Sequence, residues 1–213
     1  MGRHVWLSWA RADTMAILFV TNDLVQRSPD RFIEGVNRNK QGQPVSPEFC
    51  ANKIWGESDL PDYETRTLSQ KPLPDLFEAN GQWIVSGRAT DVLCQFNLGD
   101  GALHPVTEGV YLRDQITKIQ ADFSTWIFGN SKQAFLPDKT AKKIPFGVSG
   151  QRWNMPDDPK DDDVAVSVAA LDGADVWIDP GLFKAIFLSS ALGDALVRAG
   201  LSKAFRLTRC RVC

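Results

Sequence analysis

The sequence predicts an α+β protein with a mixed or antiparallel sheet, on which two short strand–Ser–helix–strand units pack. Three observations predict this class: several short β-favouring runs, two amphipathic helical segments that each follow a serine, and an internal repeat that contains both helices. No Ser/Gly-rich linker, coiled-coil heptad or low-complexity block divides the chain.

The composition is typical of a globular protein. The chain has 213 residues, of which 43% are hydrophobic and 23% are charged, and these values argue against wholesale disorder and against a fibrous repeat. The net charge of −2 gives no global field that would recruit nucleic acid or an anionic membrane. We therefore expect neither as a partner.

The first part of the chain, residues 1–71, is predicted to be a loop-rich extension or docking arm that precedes an α+β domain at 72–213. Pro, Gly, Asn, Asp and Ser are frequent between residues 22 and 71, and such turn formers compete with helices and strands for backbone hydrogen bonds. We expect loops with brief strands there. Met15 can also serve as a translation start, which would leave residues 1–14 as an unstructured extension.

The two units are predicted at residues 74–108 and 180–212. They share Pro, Leu, Phe and Ala at one spacing, and the similarity resumes in a β-favouring run that ends in serine. The matching segments are Pro74–Ala79 with Pro180–Ala185, Ile84–Ser86 with Phe187–Ser189, and the closing strand-like runs Ala102–Val106 with Ala204–Thr208.

Each unit contains a short helix that a serine is predicted to cap. Ser86 can accept hydrogen bonds from the free amides of the first helix, and Ser189 or Ser190 can do so for the second. One face of each helix is apolar and is expected to be buried. The residues of these faces are Ala89, Val92, Leu93 and Phe96 in the first helix, and Leu192, Ala195, Leu196 and Ala199 in the second.

Strand-like runs lie between the two units. They are predicted at residues 122–128, 164–171 and 174–178, with Asp172-Gly173 as a turn signal. Trp83, Trp126 and Trp177 lie in such runs and are expected in the core.

The sequence offers few residues for catalysis. His4 and His104 are the only histidines, and His104 is expected to be an edge or half-buried strand residue. Ser86 and Ser189 lie outside a G-x-S-x-G motif and have the capping explanation. The C-x-x-C spacing of Cys210 and Cys213 lacks the second ligand pair of a zinc site, and no phosphate-binding glycine motif occurs. We therefore expect no enzyme, no cofactor and no metal.

The predicted compartment is the cytoplasm. The apolar run that begins at Met15 is shorter than the roughly 7–15 residues of a signal-peptide core and the roughly 18 or more of a membrane span. The four cysteines are irregularly spaced, which suits a reducing compartment better than a disulfide scaffold.

Seven residues are predicted to bind a partner protein. The aspartates form either a solvated loop or an acidic docking surface for a basic partner, and the two tryptophans, in loop-like polar surroundings, either anchor an interface or pack a lid. These residues are Asp157, Asp158, Asp161, Asp162, Asp163, Trp153 and Trp55.

The repeated P-x-L-F-x-A motif, the β run that ends in serine before an amphipathic helix, and the segment Ala199–Arg206 together resemble immunity-protein family eleven. The resemblance covers Pro72 to Val212, and the chain departs from it at Ser202-Lys203, where a glycine is expected. Members of this family are small cytoplasmic proteins encoded beside polymorphic toxins. The resemblance implies a non-enzymatic protein that binds and neutralises a cognate bacterial toxin, and it supplies no catalytic residues.

Two other function classes stay open at this point. One is a regulatory or structural interaction module unrelated to toxins. The other is a small hydrolase or transferase that uses carboxylates such as Asp91, Asp194 and Glu108, which would require a pocket that brings two of them together.

Overall fold

The computed structural model describes residues 4–13, 17–18, 20–56, 73–141, 143–146, 152–155 and 158–213. The helices are α1 (Asp23–Arg27), α2 (Pro29–Lys40), α3 (Gly87–Leu93) and α4 (Ser190–Arg198). The strands are β1 (His4–Ser8), β2 (Ile17–Leu18), β3 (Val20–Asn22), β4 (Lys53–Gly56), β5 (Leu76–Ala79), β6 (Gln82–Ser86), β7 (Ala102–Pro105), β8 (Gly109–Tyr111), β9 (Phe123–Ile127), β10 (Ile144–Phe146), β11 (Arg152–Asn154), β12 (Ala165–Val166), β13 (Val176–Trp177), β14 (Leu182–Phe183), β15 (Ile186–Leu188) and β16 (Leu207–Val212).

Two five-stranded sheets dominate the fold. The first sheet has the order β2-β5-β6-β9-β7, and the second has the order β12-β16-β1-β15-β13. Each combines antiparallel pairs with one parallel pair, β2 with β5 and β12 with β16. Two three-stranded sheets, β3-β4-β8 and β10-β11-β14, complete the set. The chain is therefore an α+β protein with mixed sheets.

The two large sheets share one hydrophobic core. Because strand residues alternate between faces, Ile186 and Leu188 of β15 enter this core while Phe187 enters a second cluster on the other face. In the first sheet, Leu76 enters the shared core and its neighbour Phe77 enters a third cluster. Both sheets are thus buried on two faces, and the shared core joins the two halves of the chain.

Helices α3 and α4 pack into this shared core, and each is capped by the predicted serine. The Ser86 hydroxyl accepts a hydrogen bond from the Ala89 amide at 3.3 Å, and the Ser189 hydroxyl accepts one from the Leu192 amide at 3.2 Å. Gly193 allows α4 to approach strand β1, since a Cβ there would lie 1.9 Å from Cδ1 of Trp6.

The predicted tryptophan core is confirmed. Trp83 is 3% exposed, and Trp126 and Trp177 are fully buried. Two strand predictions need correction. Residues 164–171 form only the short strand β12 and then a 3₁₀ turn, Val168–Leu171. The last strand begins at Leu207 and not at Ala204, because the Leu201 amide donates to the Leu196 carbonyl and the chain continues in turns through Arg206.

The expectation of loops and brief strands at 22–71 was wrong for residues 23–40, which form α1 and α2. Asn22 caps α1 by accepting from the Val25 amide, and Pro29 occupies the first turn of α2. Buried Asn39 then fixes α2 to the first sheet, because its amide group donates to the Trp126 carbonyl and accepts from the Phe128 amide. Several of the turn formers, among them Asn22, Pro29 and Asp30, lie at the helix starts, where they favour the helices.

The N-terminal residues also differ from the extension that a start at Met15 would leave. Strand β1 lies between β15 and β16 in the second sheet, with Val5 and Leu7 fully buried. The predicted domain boundary between residues 71 and 72 lies outside the described residues. No helix within the described ranges has both the length and the apolar character needed to cross a membrane.

Candidate functional site

A buried aspartate organises the turn after strand β13. Asp179 is 3% exposed, and its Oδ2 accepts hydrogen bonds from the amides of Ala134 and Phe135 at 2.7 and 2.8 Å. Its Oδ1 accepts from the Gly181 amide at 2.8 Å. These three bonds fix the segment at 133–135 against the turn at 179–184 and use both carboxylate oxygens.

Two cavities adjoin this turn and share Arg152, Asp179 and Pro180 in their walls. The larger has a volume of about 570 Å³ and the smaller about 520 Å³, both in the usual range for small-molecule sites. The second copy of the repeated motif, Pro180–Ala185, supplies part of both walls.

Several basic side chains line the larger cavity, and we call it the cationic cavity. Its charged lining residues are Asp179 and the four basic residues Arg11, Lys40, Arg152 and Lys184. None of the four basic side chains forms an ion pair with the described part of the chain. Since Asp179 is already engaged by three backbone amides, the lining has an excess of hydrogen-bond donors and positive charge.

Arg11 is the buried member of this set. It is 8% exposed, its guanidinium lies 5.5 Å from the centroid of the Phe128 ring, and its Nη1 has no hydrogen-bond partner. Desolvation lowers the pKa of Arg11 to about 10, and the charge of Glu78 opposes this effect. An unpaired guanidinium nitrogen in the interior costs free energy, and the contacts with Phe128 and Glu78 offset this cost only in part, since desolvation still dominates the pKa.

Trp153, a predicted partner-binding residue, lines the smaller cavity. It is half-buried in β11, where it pairs with Pro145 and Leu182, and the Lys143 ammonium lies 5.0 Å from the ring centroid. Trp55 lies in strand β4 and not in a loop. It pairs with Thr21 and Tyr111 and is only 7% exposed, so its ring faces the interior.

The predicted acidic cluster forms a well-connected loop at residues 158–163, here called the acidic loop. Asp161 Oδ1 accepts from the Arg209 amide at 2.8 Å, and its Oδ2 accepts from Arg209 Nε and Nη2 at 2.9 and 2.7 Å. Asp163 Oδ2 accepts from the Lys160 amide, and Asp158 forms an ion pair with Lys160. Asp162 is exposed, whereas Asp157 lies outside the described residues.

The electrostatics of Asp161 reflect these contacts. Partial desolvation raises its pKa, but the hydrogen bonds from Arg209 and Thr208, together with the charge of Arg209, outweigh it and hold the pKa below the ordinary value. Asp161 therefore acts as a clamp between the acidic loop and strand β16.

The histidines and the C-x-x-C pair occupy separate structural positions. His104 lies on edge strand β7, and its Nε2 is 2.9 Å from the Val45 carbonyl oxygen. His4 presents the same Nε2 to Ser190 Oγ at 3.3 Å and Asp194 Oδ1 at 3.6 Å, whereas a catalytic triad uses the two ring nitrogens for different partners. Cys210 is buried and Cys213 is exposed.

The three candidate carboxylates lie outside the cavities described here. Asp91 and Glu108 are exposed and Asp194 is half-buried, and Asp179 is the acidic residue that lines both cavities. Within the described ranges, no group of three His, Cys, Asp or Glu side chains has the arrangement of a metal site.

The cationic cavity is not apparent from the sequence. Its four basic residues come from the turn after β1, the last turn of α2, the start of β11 and the turn between β14 and β15. No local spacing connects them, and only the repeated motif at Pro180 pointed to part of this wall. No protein-family model and no curated protein sequence matches the chain, so the resemblance to immunity-protein family eleven depends on the motifs quoted above.

Proposed function

We propose that this chain is a non-enzymatic binding protein that neutralises a cognate bacterial toxin in the cytoplasm by direct contact, as its resemblance to immunity-protein family eleven implies. The observation that supports this proposal best is the acidic loop, an exposed charged segment whose backbone is fixed before any partner arrives. A partner with a basic surface is the expected counterpart.

The fixed conformation of the acidic loop favours tight binding. The Asp162 amide donates to the Arg209 carbonyl, and the Asp163 carbonyl accepts from the Ala141 amide at 2.8 Å. Together with the Asp161 clamp, these bonds join the loop to strand β16 and to the segment around residue 141. A loop ordered in advance loses little conformational entropy on binding, so more of the interaction free energy appears as affinity.

Asp162 is the acid of this loop most available to a partner, whereas Asp158 is exposed but already forms an ion pair with Lys160. Both are exposed, and the Asp162 carboxylate makes no hydrogen bond or ion pair within the described part of the chain. Asp162 has a φ of 66°, which aspartate tolerates better than most residues. Asp161 is instead engaged by Arg209, so we assign it a positioning role.

We also propose that the two units, residues 74–108 and 180–212, are related copies that serve as the scaffold of this binding protein. Both capping serines also donate their backbone amides to an aspartate carbonyl, Ser86 to Asp75 at 3.0 Å and Ser189 to Asp175 at 2.9 Å. Both helices contribute to the shared core. The four cysteines are free, which supports a reducing compartment.

The test is co-expression with the product of the neighbouring gene, with survival and co-purification as readouts. The variant Asp158→Asn/Asp162→Asn is compared with Asp30→Asn/Asp91→Asn, which removes the same charge from exposed helix positions. We expect roughly ten-fold weaker binding at low salt and a smaller salt dependence for the loop variant only. Unchanged affinity would reject the loop as the docking site, and failure of the wild-type chain to protect or co-purify would reject the function.

A further inference from the structure

We propose that the cationic cavity binds the phosphate group of a small phosphorylated molecule. The inference is independent of toxin binding, because it concerns different residues and a different class of ligand. It depends on the four basic residues that line the cavity, on the absence of a free carboxylate among the described lining residues, and on the buried Nη1 of Arg11, which has no hydrogen-bond partner.

Arg11 is the central residue of the proposed site. It lies in a tight turn in which the Ala12 amide donates to the Trp9 carbonyl and the Asp13 amide donates to the Ala10 carbonyl. Arg11 is among the lining residues of the cavity, its guanidinium lies beside the Phe128 ring, and its Nη1 is buried without a hydrogen-bond partner. Guanidinium groups bind phosphate oxygens through paired, charge-assisted hydrogen bonds, and an anion in the cavity would add its negative charge to that of Glu78.

The other three cations approach from separate elements. Arg152 begins β11, Lys184 lies in the turn between β14 and β15, and Lys40 lies in the last turn of α2. Lys40 also complements the negative end of the α2 dipole, so we expect its contribution to ligand binding to be the smallest. Lys184 has a φ of 66°, a backbone region that lysine rarely adopts and glycine adopts readily.

The neutral lining residues are consistent with the same ligand. Asn37, Gln41, Gln43 and Ser131 add side-chain groups that can donate to phosphate oxygens. The single lining carboxylate, Asp179, has both oxygens occupied by backbone amides. The strongest hydrogen-bond acceptors must therefore come from the ligand. A dianionic phosphate balances the positive charge of the four basic residues better than a single carboxylate does.

The test is calorimetric titration of the full chain with inorganic phosphate, pyrophosphate and citrate at constant ionic strength, with chloride as the reference. We expect saturable binding of phosphate and tighter binding of pyrophosphate. Binding of citrate as tight as pyrophosphate would overturn the phosphate assignment, and no saturable binding of phosphate or pyrophosphate would overturn the site.

Variants locate the binding in the cavity. Arg11→Met removes the buried charge and is expected to weaken pyrophosphate binding roughly thirty-fold or more, and Lys184→Gly roughly three- to ten-fold. Lys184→Gly keeps the test decisive if Arg11→Met fails to fold, because glycine suits the backbone at this position. Arg31→Gln, on the same helix as Lys40 but outside the lining residues, is the control and should bind as the wild type does. Equal affinity of Lys184→Gly and Arg31→Gln would overturn the assignment.

Discussion

The acidic loop and the cationic cavity differ in how their charges are satisfied. In the acidic loop, Asp161 is engaged by Arg209 and Asp158 by Lys160. In the cationic cavity, Arg11 and three other basic residues line the wall together with a single carboxylate, Asp179. The Asp179 carboxylate already accepts hydrogen bonds from backbone amides. A dense charge run in a sequence therefore does not identify the charges that the fold leaves unsatisfied, because partners distant in sequence can neutralise it.

The strongest test of this comparison is the removal of the Asp179 carboxylate. Asp179→Ala leaves the amides of Ala134, Phe135 and Gly181 without their acceptor, so we expect the free energy of unfolding to fall by about 3 kcal/mol. Urea denaturation measures this change. Asp172→Ala, an exposed aspartate after the Val168–Leu171 turn, is the control and should stay within about 0.5 kcal/mol of the wild type.

A small loss for Asp179→Ala would change the interpretation of the cationic cavity. It would mean that the Asp179 carboxylate is not committed to the turn and is free to neutralise the basic residues around it. The contrast between the two regions would then disappear.

The second test removes the clamp of the acidic loop. Asp161→Asn weakens the hydrogen bonds from Arg209, and we expect a smaller loss of stability at pH 7 than for Asp179→Ala, because the Asp161 and Arg209 side chains are 46% and 51% exposed. The matched variant is Asp162→Asn, which changes the same charge in the same loop at a side chain that has no hydrogen bond to Arg209. Equal stability of the two variants would contradict the clamp.

The pH dependence of the clamp follows from the lowered pKa of Asp161. Its folded-state pKa lies below that of the unfolded chain, so its stabilising contribution is complete above the ordinary aspartate range near pH 3.9 and is lost as the pH falls through the folded pKa. Urea midpoints of the wild type and Asp161→Asn should therefore differ at pH 7 and converge in acid. A constant difference down to the lowest pH at which both fold would exclude this linkage.

The sequence predicted those parts of the fold that depend on neighbouring residues. Helices α3 and α4 follow from a capping serine and an apolar face within one short segment. Ser28-Pro29-Asp30 is also a typical helix start, and the prediction of loops there was wrong because the frequency of turn formers does not show their position in a helix. Strand β1 could not be placed, since its partners β15 and β16 lie at the other end of the chain.

The candidate sites show the same limit. The sequence marks the acidic loop as a contiguous run, but only the fold shows that Arg209 engages Asp161. Arg11 and Lys184 are isolated residues in the sequence, and the turn of the chain after β1 and the turn between β14 and β15 bring them to one cavity. Such convergence depends on long-range strand pairing, which local patterns do not encode.

The smallest expected effect is a change in stability on substitution of Lys184, which separates the contribution of this residue to the fold from its contribution to ligand binding. Lys184→Gly relieves the positive φ of 66° and is expected to raise the free energy of unfolding by about 0.5 kcal/mol, because glycine adopts this conformation without steric cost. Thermal and urea unfolding measure the change. Lys160→Gly is the matched control, since Lys160 is not among the residues with positive φ and glycine there is expected to lower stability. If Lys184→Gly were destabilising instead, Lys184 would hold the turn in place, and its conformation would need no functional explanation.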